Sequence, residues 1–225
     1  MKKRQFIKYR KRTKYDLEKS KKMNNFSYLN KNICRQNQIV FVGDSITELF
    51  NMELFDEFCK VHGVNIYNRG ISGDTSDRLL ERLDENVLNI NPKAVVLLSG
   101  INDWTAGADV EYIAGNIEAT VERIRNSNPN TLIVLQAVYP VNTKMYRSIV
   151  LKKAAKKIST LNSKIKSIAN KYGTDYIDFT KKLSDSEGMF SSELTYDGLH
   201  PTAKGFSVVA NEIESILTQY FDTAI

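Results

Sequence analysis

The chain has 225 residues, 42% of them hydrophobic, which suits one α/β domain with a proper core and excludes two large ones. Glycine and proline are sparse, at 11 and 4 residues, so long flexible linkers are not expected. The net charge of +6 is uneven, because residues 1–33 hold 12 Lys/Arg and 2 Asp/Glu while the rest is mildly acidic, and this disfavours a nucleic-acid-binding domain.

The N-terminal arm, residues 1–33, is predicted to be a helix preceding a domain at 34–225. Phe6, Tyr9, Thr13 and Leu17 recur every three to four residues, with basic residues between them. This thin apolar stripe favours a helix that packs on the domain and exposes its basic face to solvent. Weak contact with an anionic lipid surface or with nucleic acid is the alternative interpretation.

Strands and helices alternate after the arm. Short apolar runs predict buried strands at residues 38–42, 64–68, 94–98, 132–138 and 175–179. Apolar periodicity and end signals predict helices at residues 47–61, 75–90, 109–126, 146–171 and 201–220. This alternation predicts a parallel sheet with helices on both faces.

The location of the chain is predicted from its segments and cysteines. No apolar run reaches the ~18 residues of a transmembrane helix, and the basic N-terminus lacks the apolar segment of a signal peptide. Cys34 and Cys59 match no metal-ligand spacing and are predicted to be free thiols. We therefore expect a cytoplasmic protein.

Polar, glycine-bearing turns follow the first three predicted strands. They read Gly-Asp-Ser at 43–45, Gly-Ile-Ser-Gly-Asp at 70–74 and Gly-Ile-Asn-Asp at 100–103, and Asp-Gly-Leu-His follows the fifth strand at 197–200. Ligands of parallel sheets bind beyond the carboxyl ends of the strands. We therefore expect one site at this edge, partly covered by the polar segment 180–196.

Ser45, Asp197 and His200 are the candidate hydrolytic triad. Serine is a weak nucleophile unless a base removes its proton, and the chain has only two histidines. His62 lies beside Gly63 at a predicted helix end, where a histidine commonly meets the helix dipole. His200 lies three residues after Asp197, close enough for the carboxylate to orient the imidazole. Since no G-x-S-x-G elbow surrounds the serine, an α/β-hydrolase of the usual type is disfavoured.

Acyl transfer also needs hydrogen-bond donors for the developing oxyanion. Gly73 offers a backbone N–H, Asn102 a side-chain amide, and the N–H of Ser45 at a helix start a third donor. Asp44 and Asp103 are assigned to structure, because an Asp beside a turn more often bonds local backbone.

Each of these positions also has a structural interpretation. Ser45 alone would be a helix N-cap, and Gly73 alone a residue that needs positive φ. Trp104, the only tryptophan, fits the core or the wall of a substrate pocket equally well. The presence of all these turns in one chain favours the catalytic interpretation.

Together, the sequence segments around these residues resemble those of the SGNH (GDSL-type) hydrolase family over roughly residues 38–220. The family's serine, glycine, asparagine and histidine match Ser45 in VGDSITE, Gly73 in NRGISGDTS, Asn102 in SGINDW and His200 in YDGLHPTAKG, and its triad acid matches Asp197. One departure is Ile46, where the family name expects leucine. The turn before Gly73 is similar to that of intracellular acylhydrolases of the platelet-activating-factor acetylhydrolase type.

This resemblance implies a flavodoxin-like, three-layer α/β/α fold with a five-stranded parallel sheet. It implies hydrolysis of a small-molecule ester without metal or organic cofactor. We expect a short-chain acyl or lysophospholipid-like substrate. A carbohydrate O-acetylesterase with the same catalytic residues and a non-catalytic binding module are the alternatives.

Overall fold

The computed structural model describes residues 14–146 and 148–223. A five-stranded sheet consists of β1 (Ile39–Gly43), β2 (Ile66–Gly70), β3 (Ala94–Leu98), β4 (Leu132–Gln136) and β5 (Asp175–Ile177). All neighbouring strands are parallel, in the order β2-β1-β3-β4-β5. This is the flavodoxin-like strand order, and it confirms the predicted three-layer fold.

Helices cover both faces of this sheet. In chain order they are α1 (Lys14–Asn32), α2 (Ser45–Glu48), α3 (Asp56–His62), α4 (Ser76–Glu81), α5 (Leu83–Asn86), α6 (Val110–Ser127), α7 (Ile149–Ala155), α8 (Ile158–Tyr172), α9 (Thr180–Leu183) and α10 (Ala203–Thr223). Short 3₁₀ helices lie at Met52–Phe55, Leu88–Ile90 and Asp103–Ala106. Within the described ranges, no helix combines the length and the apolar character needed to cross a bilayer.

Alternate residues of each central strand pack into two hydrophobic layers. Val40 and Val42 of β1 belong to the layer formed with α4, α6 and α8. Ile39 and Phe41 belong to the opposite layer, formed with α3 and α10. Because a parallel strand covered on both faces is buried throughout, β1 appears in the sequence as a continuous apolar run.

Three predicted helices are divided in the structure. The helix predicted at 47–61 is replaced by α2, a 3₁₀ helix and α3. The helix predicted at 75–90 is replaced by α4, α5 and a 3₁₀ helix, and the helix predicted at 146–171 by α7 and α8. Asn51 accounts for the first division, because its side chain caps the next helical turn by accepting from the N–H of Glu53 at 3.1 Å. The prediction of single helices was wrong there because apolar periodicity continues across such breaks.

Smaller differences occur at other element ends. β2 begins two residues later than predicted, and β5 ends at Ile177 rather than at residue 179. The last helix begins at Ala203, because Pro201 pairs in an isolated antiparallel bridge with Thr195. That bridge shapes the segment that carries His200.

The described part of the basic arm is helix α1, which packs on the α5 region. Asn30 donates from its side chain to the carbonyl of Glu85 at 2.9 Å, and Asn86 donates to the carbonyl of Met23 at 3.1 Å. Leu17 is 52% exposed, so the apolar packing predicted for it is wrong and polar side chains make these contacts. Phe6, Tyr9 and Thr13 lie outside the described residues, and the domain boundary stays a prediction.

Candidate active site

Ser45 lies at the junction of β1 and α2. Asp44 is the N-cap of α2, and its Oδ1 accepts a hydrogen bond from the N–H of Ile46 at 2.9 Å. Ser45 is the first residue of the helix and is 9% exposed. Because Asp44 fills the capping role, the structural interpretation of Ser45 as an N-cap does not apply, and its hydroxyl has another partner.

That partner is His200. The Oγ of Ser45 lies 2.9 Å from Nε2 of His200, and Nδ1 of His200 lies 2.8 Å from Oδ2 of Asp197. The structure thus brings Ser45 to a pair, Asp197 and His200, that lies up to 155 residues further along the chain, and the three side chains follow in the order hydroxyl, imidazole, carboxylate. In this arrangement the carboxylate fixes the imidazole tautomer while the other ring nitrogen faces the hydroxyl.

The carboxylate of Asp197 is held by its own turn. Its Oδ1 accepts from the backbone N–H groups of Leu199 at 2.9 Å and His200 at 2.8 Å. Partial burial alone would raise the pKa of Asp197, but these bonds and the contact with the imidazole outweigh it and lower the pKa below its usual value. Asp197 therefore stays ionised beside the imidazole at neutral pH.

Asn142 fixes the turn that contains Gly198, and the sequence analysis missed it. Its N–H donates to the carbonyl of Gly198 at 2.8 Å, and its side-chain amide donates to the carbonyl of Phe190 at 2.8 Å. Gly198 has a φ of +94°, and a Cβ there would lie 2.7 Å from the carbonyl oxygen of Asn142. Only glycine meets both demands. No motif marks Asn142, because the two carbonyls to which it donates lie far along the chain.

The predicted oxyanion donors lie on three adjacent strand ends. Gly73 follows β2 and Asn102 follows β3, and these strands flank β1, which leads to Ser45. Gly73 has a φ of +69°, the conformation that its structural interpretation expects. The amide of Asn102 donates to the carbonyl of Asp74 at 3.1 Å, which ties the two outer turns together. Since an amide nitrogen carries two hydrogens, this contact uses one of them.

Asp103 joins the turn after β3 to the start of α4. Its Oδ2 accepts from the N–H of Ser76 at 3.0 Å, and its Oδ1 accepts from the hydroxyl of the same residue. Burial raises the pKa of Asp103 to about 6 in spite of these bonds. Trp104, the next residue, is 6% exposed and belongs to the same hydrophobic layer as Leu199. Its role in a pocket wall stays a prediction.

The second histidine lies away from these turns. His62 is the last residue of α3, and its ring packs between those of Phe58 and Phe221. Gly63 ends the helix in the left-handed conformation, with a φ of +63°. His62 therefore has a packing role at a helix end.

A cavity of about 670 Å³ lies between α7–α8 and the segment that follows β5. Lys152, Lys156 and Lys166 are among its lining residues, together with Thr143 and Met189. None of the three candidate triad residues lines it. The residues that line this cavity thus do not include the Ser45 hydroxyl group or its two partners.

Cys34 and Cys59 are both free thiols. Across residues 14–146 and 148–223, the structure forms no cluster of three or more His, Cys, Asp or Glu side chains that could hold a metal ion.

Comparison with known proteins identifies the family to which the chain belongs. Residues 41–208 match the GDSL-like Lipase/Acylhydrolase family, and the chain belongs to that family. The chain is 29% identical to human platelet-activating factor acetylhydrolase IB subunit alpha2 over 191 residues, which cover 84% of this chain and 79% of that protein.

Two solved structures share the fold over nearly their full length. One from Streptococcus pneumonia, provisionally described as a platelet activating factor, is 29% identical with a TM-score of 0.81, covering 89% of this chain and 93% of that one. A GDSL-like lipase from Bacteroides thetaiotaomicron is 26% identical with a TM-score of 0.73, covering 90% and 98%. The chain is therefore a GDSL-type hydrolase of carboxylic esters.

Proposed function

We propose that the chain is a serine esterase in which Ser45 is the nucleophile, His200 the general base and Asp197 the acid of the triad. The observation that carries this proposal is the pair of hydrogen bonds, 2.9 Å and 2.8 Å long, that connects the three side chains. Its substrates are short-chain acyl or lysophospholipid-like esters. Similarity to an acetylhydrolase supports the short-chain acyl esters.

The reaction has two steps. The Oγ of Ser45 attacks the ester carbonyl while Nε2 of His200 accepts the hydroxyl proton, and the proton then passes to the leaving alcohol. Water next attacks the acyl-enzyme while Nε2 of His200 accepts its proton, and His200 then returns a proton to the Oγ of Ser45 as the bond to the acyl group breaks and the free acid leaves. Asp197 stabilises the imidazolium in both steps. The triad supplies its own base, so the proposed reaction uses no metal.

The oxyanion forms at the edge where three strands end. The N–H groups of Ser45 and Gly73 and the amide of Asn102 stabilise the negative charge of the tetrahedral intermediate. Ser45 is the first residue of α2, and the first N–H groups of a helix have no partner within it.

Covalent labelling tests the nucleophile. A fluorophosphonate should label wild-type protein on the peptide that contains Ser45, and Ser45→Ala should lose both the label and several powers of ten in kcat with p-nitrophenyl acetate. Ser163→Ala is the matched control, because Ser163 is an exposed serine on α8. Near-wild-type hydrolysis by folded Ser45→Ala would refute the proposal.

A further inference from the structure

Helix α1 reaches the turn that contains Gly73 through Lys22. The ammonium of Lys22 forms an ion pair with Oε1 of Glu48 at the end of α2. The second oxygen of this carboxylate, Oε2, accepts from the backbone N–H of Ser72 at 2.6 Å. Since Ser72 directly precedes Gly73, one carboxylate separates Lys22 from the backbone of the turn.

A second lysine reaches the same turn from its other end. Lys19 forms an ion pair with Oδ1 of Asp74, and Arg82 forms another with Oδ2 of Asp74 at 2.7 Å. The side chains of Lys19 and Asp74 are only 7% and 1% exposed. The carbonyl of Asp74 accepts the amide of Asn102. The residues on both sides of Gly73 are therefore held, directly or through one carboxylate, by lysines of α1.

Other side chains also attach α1 to the domain. The hydrogen bonds of Asn30 and Asn86 already join α1 to the α5 region. Burial of a lysine is unfavourable unless the ammonium is paired, so Lys19 is a costly way to add packing alone. Lys21, on the same helix, is exposed to solvent in the usual way.

We propose that Lys19 and Lys22 are positioning residues, which hold the backbone from Ser72 to Asp74 and thereby aim the oxyanion donors. This inference rests on the proposed function, in which the N–H of Gly73 and the amide of Asn102 hold the oxyanion. Both lysines precede the part of the chain that matches the family, residues 41–208. In this proposal α1 supports the active site from outside the matched range.

Displacement of the turn should affect the transition state more than the bound substrate. Oxyanion donors act on charge that develops during the reaction, and loss of one donor typically costs roughly 10²–10³ in kcat. A displaced donor should lose a fraction of this effect, and we expect about a tenfold fall in kcat for each lysine, with KM unchanged.

The test compares Lys19→Met and Lys22→Met with the matched control Lys21→Met, which removes the same charge from an exposed position of the same helix. kcat and KM are measured with p-nitrophenyl acetate, and folding is followed by thermal unfolding. Lys19→Met leaves Asp74 paired with Arg82, so we expect it to fold. The partly exposed pair of Lys22 contributes little to stability, so Lys22→Met should unfold near the wild-type temperature.

Two further variants separate positioning from packing. Lys22→Arg keeps a cation beside Glu48 and should restore most of kcat, which a hydrophobic substitution cannot do. Glu48→Gln removes the charge that Lys22 holds, so it should lower kcat as Lys22→Met does, and the double variant should lose little more than either single one. Non-additive losses are expected when Lys22 and Glu48 act through the same interaction.

Wild-type kcat in folded Lys19→Met and Lys22→Met would overturn the inference and leave α1 as a packing helix only. A rise in KM with kcat unchanged would overturn it too, because the turn would then bind the ground state. Failure of the proposed function has a different result: wild type and Lys21→Met would themselves lack hydrolysis that depends on Ser45.

Discussion

The carboxylate of Asp197 has two separate tasks, one for each oxygen. Oδ1 accepts two backbone N–H groups and shapes the turn, while Oδ2 faces Nδ1 of His200. Asn at position 197 would keep the first task through its carbonyl oxygen. Its NH₂ group would face the imidazole, however, and would stabilise the tautomer that cannot accept the proton of Ser45.

Asp197→Asn should therefore retain the fold and lose catalysis. We expect kcat with p-nitrophenyl acetate to fall by roughly 10⁴, the size of effect that this substitution has in other serine triads. Thermal unfolding close to that of wild type is the control for an intact turn. A folded variant within tenfold of wild-type kcat would show that Asp197 only shapes the turn.

Asp44 is a buried carboxyl whose protonation should appear in the pH dependence of stability. Burial raises its pKa from about 3.8 to about 7. Between these values the native state holds a proton that the unfolded chain has released, so the free energy of unfolding falls as pH rises. Asp103, whose pKa burial raises to about 6, adds to the same trend.

Asp44→Asn should weaken this trend, because the amide stays neutral and its oxygen can still cap α2. Urea unfolding at pH 5 and pH 8 gives the measurement. Wild type should lose more of its free energy of unfolding between these two pH values than the variant does. Equal losses would mean that Asp44 is ionised in the native protein.

At the scale of elements, the sequence indicates which segments form strands and helices better than where they end. A buried parallel strand and an amphipathic helix each impose an apolar pattern on adjacent residues, so all five strands could be predicted. Breaks depend on single polar residues. Arg82 lies between α4 and α5, where its side chain donates to the carbonyls of Gly43 and Arg69. Such partners are known only once the chain is folded.

The same limit applies to the candidate site. Ser45, Asp197 and His200 could be selected because proton transfer demands particular side chains and histidine is scarce. Asn142 and Lys19 could not, since asparagine and lysine are common and their partners lie far away in the sequence. Their roles depend on packing between the turns and helices at the edge of the sheet.

Asn142 permits a test at this scale, because it joins the turn of Gly198 to the segment near Phe190. Its side chain is buried, and Asn142→Ala would leave the carbonyl of Phe190 without its donor. We expect a loss of about 1–3 kcal/mol in the free energy of unfolding, the usual cost of an unpaired buried polar group. Asn170→Ala, at an exposed position of α8, should change little. Equal stability of both variants in urea would contradict this role.

At the scale of the whole molecule, the site lies at the sheet edge with short connections around it. The turns after β1, β2 and β3 lead within a few residues to helical segments. The segment after β4 packs on the segment after β5 through Asn142. The cavity of about 670 Å³ is bounded by α7 and α8 and not by the triad residues.

We predict a preference for short acyl chains, because the connections around the candidate site are short and the triad residues do not line the cavity. Each buried CH₂ would stabilise a bound chain by about 0.8 kcal/mol, roughly a fourfold gain in kcat/KM per carbon wherever an apolar channel extends from the nucleophile. We expect acetyl and butyryl to be the best substrates in a series of p-nitrophenyl esters from acetyl to palmitoyl, with no gain beyond butyryl. Ser45→Ala, measured with each ester, corrects for spontaneous hydrolysis. A steady rise in kcat/KM through octanoyl to palmitoyl would contradict the prediction and show that an apolar channel extends from Ser45.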